Sequence, residues 1–320
     1  MMKNILVLSA GRRVELVEAF RDELVKRSPS SKVYATDLRP EISAACRVAD
    51  GAIAAPSVSS PEYIAFLLEQ CKLLDIGLVV PTIDTELLLL AENQSAFQAI
   101  GVNLIISSSA LVAKCRDKRK TGLLFIELDI ETPTIYTPET LEFPCFAKPY
   151  DGSCSKGATL VRTSVDAEKL SADEKIMFME LVDASFSEYT VDLYYDARSN
   201  LKCMVPRERL ETRAGEVSKG ITRREMVYQY LLRRVQRLPG AVGCITLQLF
   251  FNKENPKFFA IEINPRFGGG FPLSYSAGAN YPGWLIDEYL FGKEIEFFDG
   301  WENNLLMLRY DAKVLVHGAT

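Results

Sequence analysis

The chain has 320 residues, 48% of them hydrophobic and 25% charged, with a formal net charge of −5. That is the composition of an ordinary globular protein with room for two or three domains, and it argues against a dedicated nucleic-acid binder, which would carry a basic surface. The single histidine, His317, excludes a Ser-His-Asp triad or a two-histidine metal centre elsewhere in the chain. Chemistry must therefore run on carboxylates, lysines, arginines, amides and backbone.

The N-terminal Met1–Met2–Lys3–Asn4 leads into a short apolar run that ends at Arg12–Arg13. That run is too brief for a secretory core or a membrane span. The seven cysteines are odd in number, scattered and never spaced C-x-x-C. They are expected to be reduced thiols in a cytoplasmic protein, with no zinc site and no membrane partner.

Alternating strands and helices fill the first hundred residues. Lys3–Leu8 reads as an apolar strand, and Val14, Val17, Phe20 and Leu24 keep helical spacing after a turn at Gly11. Val33–Ala35 is a second strand, ending at Thr36–Asp37. Ser60 is read as an N-cap with Pro61 at the first helical position, before a face of Ile64, Leu67, Leu68, Cys71 and Leu74. Leu78–Val80 is a buried strand, Asp84–Ala99 a helix and Val102–Ile106 a strand. This alternation implies a doubly wound parallel sheet, whose ligands gather at the strand ends. The turn "LSAGRRVEL" lacks the G-x-G-x-x-G fingerprint, which disfavours a dinucleotide. Asp37, Asp84 and Glu86 lie at two further strand ends, facing a crevice or capping helices.

The pattern changes after Ser107. Helical segments at Ala110–Cys115 and Lys118–Leu128 lead to "FPCFAKPYDGSCSKGATLV", a strand ending at Lys148, a Gly/Ser loop and a second strand. Helical spacing resumes over Asp166–Lys175, and "KIMFMELV" is a strand. "SEYTVDLYYD" and "LKCMVPRERLET" alternate as antiparallel strands do. Residues 223–238 read as a basic helix, and strands follow at 244–251 and 257–264.

Those last two strands carry the sharpest signal. Ile245, Leu247, Leu249 and Phe251 share one face, and Thr246, Gln248 and Phe250 share the other. A hairpin turning near Asn255 places Gln248 opposite Glu262, with Asn264 on the same face. Three oxygen-bearing side chains then converge within reach of one cation, and hard oxygens in small number suit Mg²⁺. Arg266 and a glycine run follow at once. Lys148 ends an apolar strand and calls for an anionic partner. The loop Gly152, Ser153, Ser155, Lys156, Gly157 can offer backbone N–H groups to phosphates, although it is not a P-loop.

"SAGRRVEL", "FAKPYDGSCSKG", "EYTVD" and "EINPRFGGG", in that order, resemble the ATP-grasp superfamily, and within it stand-alone proteins related to the carbamoyl-phosphate synthase large subunit. The resemblance implies a pre-ATP-grasp α/β domain over 1–107, a small lobe with the Gly-rich loop over 108–182, and a C-terminal lobe with the metal site over 183–320. It implies ATP between two α+β lobes, with Lys118 and Lys148 on phosphates, Lys148 also near adenine, and the loop closing over them. The backbone of Glu180, Leu181 and Val182 would read adenine, and Glu188 would hold ribose. Gln248, Glu262 and Asn264 would bind two Mg²⁺ ions, with Mn²⁺ as an alternative, and Arg266 would steady the transferred phosphoryl group beside Asn264. Gln248 stands where many members carry a carboxylate, a feature shared with the carbamoyl-phosphate synthase branch.

The function this implies is an ATP-dependent carboxylate–amine ligase working through an acyl phosphate, with small-molecule substrates and room for a homodimer. Arg12, Arg207 and Arg209 are the candidate substrate residues, because paired guanidinium donors recognise anions. Two alternatives stay open: an enzyme whose phosphorylated small acid is itself the product, and a nucleotide-binding module without catalysis.

Overall fold

The computed structural model describes residues 3–152, 157–213 and 215–318. Three sheets organise them. The first holds β1 (Asn4–Val7), β2 (Val33–Asp37), β3 (Gly51–Ala54), β4 (Ile76–Val80) and β5 (Asn103–Leu104), in the order β3-β2-β1-β4-β5. All its pairings are parallel, as the βα alternation requires. Every residue of β4 is buried, because helices cover both faces. Alternate residues of β1 feed opposite cores: Ile5 and Val7 pack with Val17 and Phe20, Leu6 with Tyr63 and Leu67.

The second sheet is small and antiparallel. It holds β6 (Ile135–Tyr136), β7 (Cys145–Pro149), β8 (Thr159–Val161) and β9 (Ile176–Glu180) in the order β6-β9-β7-β8. It closes its own core around Cys145, Ala147, Val161, Ala167 and Phe178.

The third sheet is also antiparallel: β10 (Phe186–Tyr195), β11 (Leu201–Arg213), β12 (Glu216–Thr222), β13 (Gly243–Asn252), β14 (Lys257–Asn264) and β15 (Leu306–Leu308), in the order β14-β13-β10-β11-β12-β15. Tyr189, Val191, Leu193, Leu247 and Leu249 on one face join the same core as Ile5, Val7 and Phe20 of the first layer. The other face is polar and fronts the candidate site.

Several local expectations shift. The helix expected over Asp84–Ala99 is two, Asp84–Glu92 and Gln94–Ala99, broken where the Asn93 amide turns back to donate to Leu89 O. Ser60 does not cap: the helix is Tyr63–Leu73 with Glu62 at the N-cap, and Ser60 Oγ accepts from the Glu62 N–H in the preceding turn. Helix Ser164–Leu170 starts and ends earlier than Asp166–Lys175. The basic segment 223–238 is helical only over Met226–Leu232, and outside that helix Arg224 donates to Trp301 O and Arg234 to Tyr230 O. Strands β3, β6, β12 and β15 have no counterpart among the strands expected from sequence. Among the described residues no helix is long and apolar enough to cross a membrane, and the six described cysteines are free thiols.

Candidate functional site

Register builds the site. Gln248 pairs with Glu262 across β13–β14 and with Thr190 across β13–β10, and Thr190 pairs with Arg207 of β11. Period-two alternation then sets Glu188, Thr190, Asp192, Arg207, Arg209, Thr246, Gln248, Glu262 and Asn264 on one sheet face. The expected Gln248–Glu262 pairing holds for an instructive reason. Beyond it the ladder runs Leu249–Ala260 and Phe250–Phe259, and a bulge between Gln248 and Leu249 takes up the extra residue. The bulge leaves Ile261 out of the pairing and turns Glu262 to face Gln248.

That face floors a cavity of about 930 Å³ walled by all three sheets. Arg13, Thr82 and Asp84 come from the first sheet's strand ends. Phe146, Lys148, Met179, Glu180, Leu181 and Val182 come from the small sheet, and Gly268, Gly269 and Gly270 close the far end. The volume is ample for a nucleoside triphosphate with a small co-substrate.

Two lysines, Lys118 and Lys148, line the same cavity. Lys118, first residue of helix Lys118–Glu127, donates to Gly152 O and lies 3.9 Å from Glu262 Oε2. Burial lowers the Lys148 ammonium to about 8; nearby Glu262 opposes that fall and Lys118 adds to it. A lysine held this way lacks an anion, and bound phosphate would restore its charge. Gly152 lies on the cavity wall, whereas Ser153, Ser155 and Lys156 lie outside the described residues.

At the floor, Asn264 Nδ2 donates to Glu262 Oε1 at 2.9 Å, and among the described residues no group donates to the Asn264 side-chain oxygen. Among the described residues no three His, Cys, Asp or Glu side chains cluster as metal ligands. The donor set is therefore one carboxylate and two amide oxygens. Such a set fits a hard cation that keeps most positions for water and phosphate oxygens, as Mg²⁺ does.

The structure redistributes the arginines. Arg12 is 84% exposed and outside the cavity wall; the turn at Gly11 (φ +52°) carries it outward and Arg13 inward. Arg207 is 1% exposed and paired with Asp192, Nε–Oδ2 2.8 Å and Nη2–Oδ1 3.0 Å, while its buried Nη1 has no partner among the described residues. Ser274 Oγ donates to the same carboxylate at 2.6 Å. Arg209 pairs with Glu188, whose carboxyl is pushed up by burial against the pull of Arg209. Arg266 grips Asp84 across the chain, Nε–Oδ1 3.0 Å and Nη2–Oδ2 2.5 Å. Asp84 thus faces the crevice, whereas Glu86 is buried and accepts from Ser9, Tyr63, Thr82 and Ile83. Asp37 holds the Arg39 N–H in a turn.

The glycine run has a structural reason. A methyl group on Gly269 would lie 3.1 Å from the Glu216 carboxylate, and one on Gly270 would lie 2.2 Å from Arg207 Nη1. Arg13, Thr190 and Glu216 line the cavity and are not among the residues expected from sequence. Only Arg13 had a visible signal, adjacent to Arg12 in the strand-end turn.

Residues 172–303 match the family "ATP-grasp in the biosynthetic pathway with Ter operon", and residues 5–105 match "PylC-like, N-terminal domain". The two matches place an ATP-grasp segment behind a PylC-like N-terminal domain. Solved ATP-grasp structures share its fold over nearly the whole length. The biotin carboxylase domain of Hydrogenobacter thermophilus 2-oxoglutarate carboxylase, in complex with MgADP, ADP and bicarbonate, is 14% identical at a TM-score of 0.72, covering 96% of this chain and 73% of that one. N5-carboxyaminoimidazole synthetase from Staphylococcus aureus, complexed with ADP, is 15% identical at 0.69, covering 96% and 80%. L-amino acid ligase from Bacillus licheniformis is 17% identical at 0.66, covering 90% and 74%. No curated protein sequence matches the chain.

Proposed function

We propose that this ATP-grasp protein is an ATP-dependent carboxylate–amine ligase. The observation that carries the reading is the single polar face Gln248–Glu262–Asn264 opposed, across one cavity, by Lys118 and Lys148. ATP would place its phosphates between the lysines and that face. Its adenine would lie against Phe146, Met179 and the segment Glu180–Val182, with ribose toward Glu188. Glu262, Gln248 and Asn264 would hold Mg²⁺, which neutralises phosphate charge. Phosphoryl transfer needs positioning and charge neutralisation more than covalent help from the protein. Among the described residues no histidine lines the cavity, and burial pushes the one thiol there, Cys115, up to about 12, which is no obstacle to it. A substrate carboxylate would attack the γ-phosphate near Arg266, and an amine would displace phosphate from the acyl phosphate. The solved relatives in complex with ADP or MgADP, and the L-amino acid ligase, support this reading at the level of fold.

Two measurements test it. Calorimetry with β,γ-methylene ATP should show binding that weakens when Mg²⁺ is withdrawn. ADP release over a panel of carboxylic acids, with hydroxylamine as the amine, should yield a hydroxamate. No nucleotide binding, or equal affinity for NAD, refutes the ATP site. Acyl phosphate released untouched by any amine moves the assignment to an acid-phosphorylating enzyme.

A further inference from the structure

Arg266 follows the strand that carries Glu262 and Asn264, yet its guanidinium is held from the other end of the chain. Asp84 is the first residue of helix Asp84–Glu92, just beyond the carboxyl end of β4. The turn that delivers it is pinned from inside. The buried Glu86 carboxylate accepts from the Thr82 and Ile83 N–H groups at 2.9 and 3.2 Å, from Ser9 Oγ at 2.8 Å and from Tyr63 OH at 2.9 Å. The Thr82 hydroxyl lies between Leu8 O at 2.9 Å and Ser9 O at 3.0 Å. Asp84 thus projects from a fixed corner of the first sheet, where its two oxygens take Nε and Nη2 of Arg266.

The remaining nitrogen, Nη1, donates to Phe267 O at 3.0 Å. The Arg266 backbone is fixed as well: its N–H donates to Asn264 O at 2.8 Å, and its carbonyl accepts from Thr246 Oγ1 at 3.0 Å. A guanidinium has five N–H donors in one plane. Three are spent here, and the other two, one on Nη1 and one on Nη2, have no partner among the described residues. Arg266 and Asp84 both line the cavity, and the arginine side chain is only 15% exposed. An unpaired arginine would lose rotamer freedom each time it met a ligand, whereas a bidentate carboxylate removes that freedom beforehand.

From this geometry we propose that Asp84 is a positioning residue, holding Arg266 so that its two free N–H groups meet the phosphoryl group as it passes from the ADP oxygen to the attacking carboxylate. The inference rests on the ATP-dependent reading of the same cavity. It makes the N-terminal sheet part of the phosphoryl-transfer machinery without requiring Asp84 to touch ATP.

The test uses the whole protein in Mg²⁺ with two probes: ADP alone, and ADP with aluminium fluoride, a mimic of the phosphoryl group in transit. Calorimetry measures both affinities. Fluoride should tighten ADP binding to the wild type. Arg266→Met and Asp84→Asn should each lose about tenfold or more of that tightening, with affinity for ADP alone unchanged. The double variant should lose no more than Arg266→Met, because Asp84 acts only through that residue. An Asp84→Asn protein that melts lower but keeps its fluoride-dependent tightening has lost only a structural contact, and overturns the inference. Tightening that grows in Asp84→Asn also overturns it, by making Asp84 a rival of the phosphoryl group for Arg266. So do additive losses in the double variant, and a wild type that binds MgADP without any tightening. Failure of MgADP itself to bind is a different result, which removes the ATP reading and this inference with it.

Should Asp84→Asn fail to fold, Arg266→Ala supplies a second arm. Millimolar guanidinium should restore its tightening by taking the vacated place on Asp84. It should not do so in the Asp84→Asn, Arg266→Ala protein, in which neither charge is left unpaired. Restoration in both proteins, or in neither, overturns the inference.

Discussion

Alanine at position 270 puts a methyl group where the Arg207 guanidinium already sits. The added Cβ would lie 2.2 Å from Nη1 and 2.7 Å from Val217 Cγ1. The backbone gives no reason for strain, because Gly270 has φ −93°. A Gly-to-Ala change at such a site would ordinarily stabilise by about 0.4–1 kcal/mol through the unfolded chain. The sign of the effect is therefore diagnostic. Relief requires either displacement of a packed core atom, at about 1–3 kcal/mol, or withdrawal of the guanidinium from Asp192, which approaches the roughly 3–5 kcal/mol of a broken buried pair. We expect a net loss of about 3 kcal/mol. At the unfolding entropy of a chain this long, that lowers Tm by about 4–5 °C. Differential scanning calorimetry and urea titration read it directly. In an Arg207→Met background the same change should cost only about 1 kcal/mol, from Val217 alone. A Gly270→Ala protein that melts at or above the wild type refutes the placement of Arg207 beneath the glycine run.

Three further outcomes are expected. Glu262→Gln should lower ADP release by on the order of 10²-fold or more while leaving the ligand-free Tm nearly unchanged; wild-type turnover, measured at saturating Mg²⁺, would remove Glu262 from the metal face. The Lys148 ammonium, lowered from 10.5 to about 8, binds its proton less tightly in the folded than in the unfolded chain. Stability should accordingly rise with pH between about 8 and 10.5 on this residue's account, a rise that denaturant titrations should find missing in Lys148→Met. Binding of the ATP analogue near the upper side of that lowered value should draw a proton onto the lysine, seen as a dependence of binding enthalpy on buffer ionisation; no such dependence would separate Lys148 from the phosphates. Asp84→Asn should cost about 1–3 kcal/mol by unpairing Arg266, and a melt unchanged within error would show the contact to be incidental.

The parallel first sheet and the β13–β14 hairpin were legible because their signals are local. Strand–helix alternation and period-two faces need no knowledge of distant residues. The Gln248–Glu262 pairing was legible too, although the turn centre lies half a residue from the one assumed, and only the bulge restores the match. The arginines were not legible. "VPRERLET" alternates like an exposed strand, yet Arg207 and Glu208 are both buried. Their counter-charges, Asp192 for one and Arg223 with Lys253 for the other, sit on other segments. The choice between Arg12 and Arg13 turns on one backbone dihedral. Nothing local in the glycine run announces its close neighbours, which at 269 and 270 are the protein's own Glu216 and Arg207.

Cores of unequal size set how the molecule comes apart. One hydrophobic cluster runs without interruption from Ile5 and Phe20 through Leu247 to Trp301, so the first and third sheets share a single cooperative unit. The small sheet depends on five buried residues of its own. Its amides should therefore exchange through a partial opening well below the free energy of global unfolding, with the rest of the protein still native. A ligand gripped between Lys148 and Glu262 ties the weak piece to the strong one. Nucleotide should accordingly slow exchange most in β7 and β9, strands whose own core contributes least to holding them.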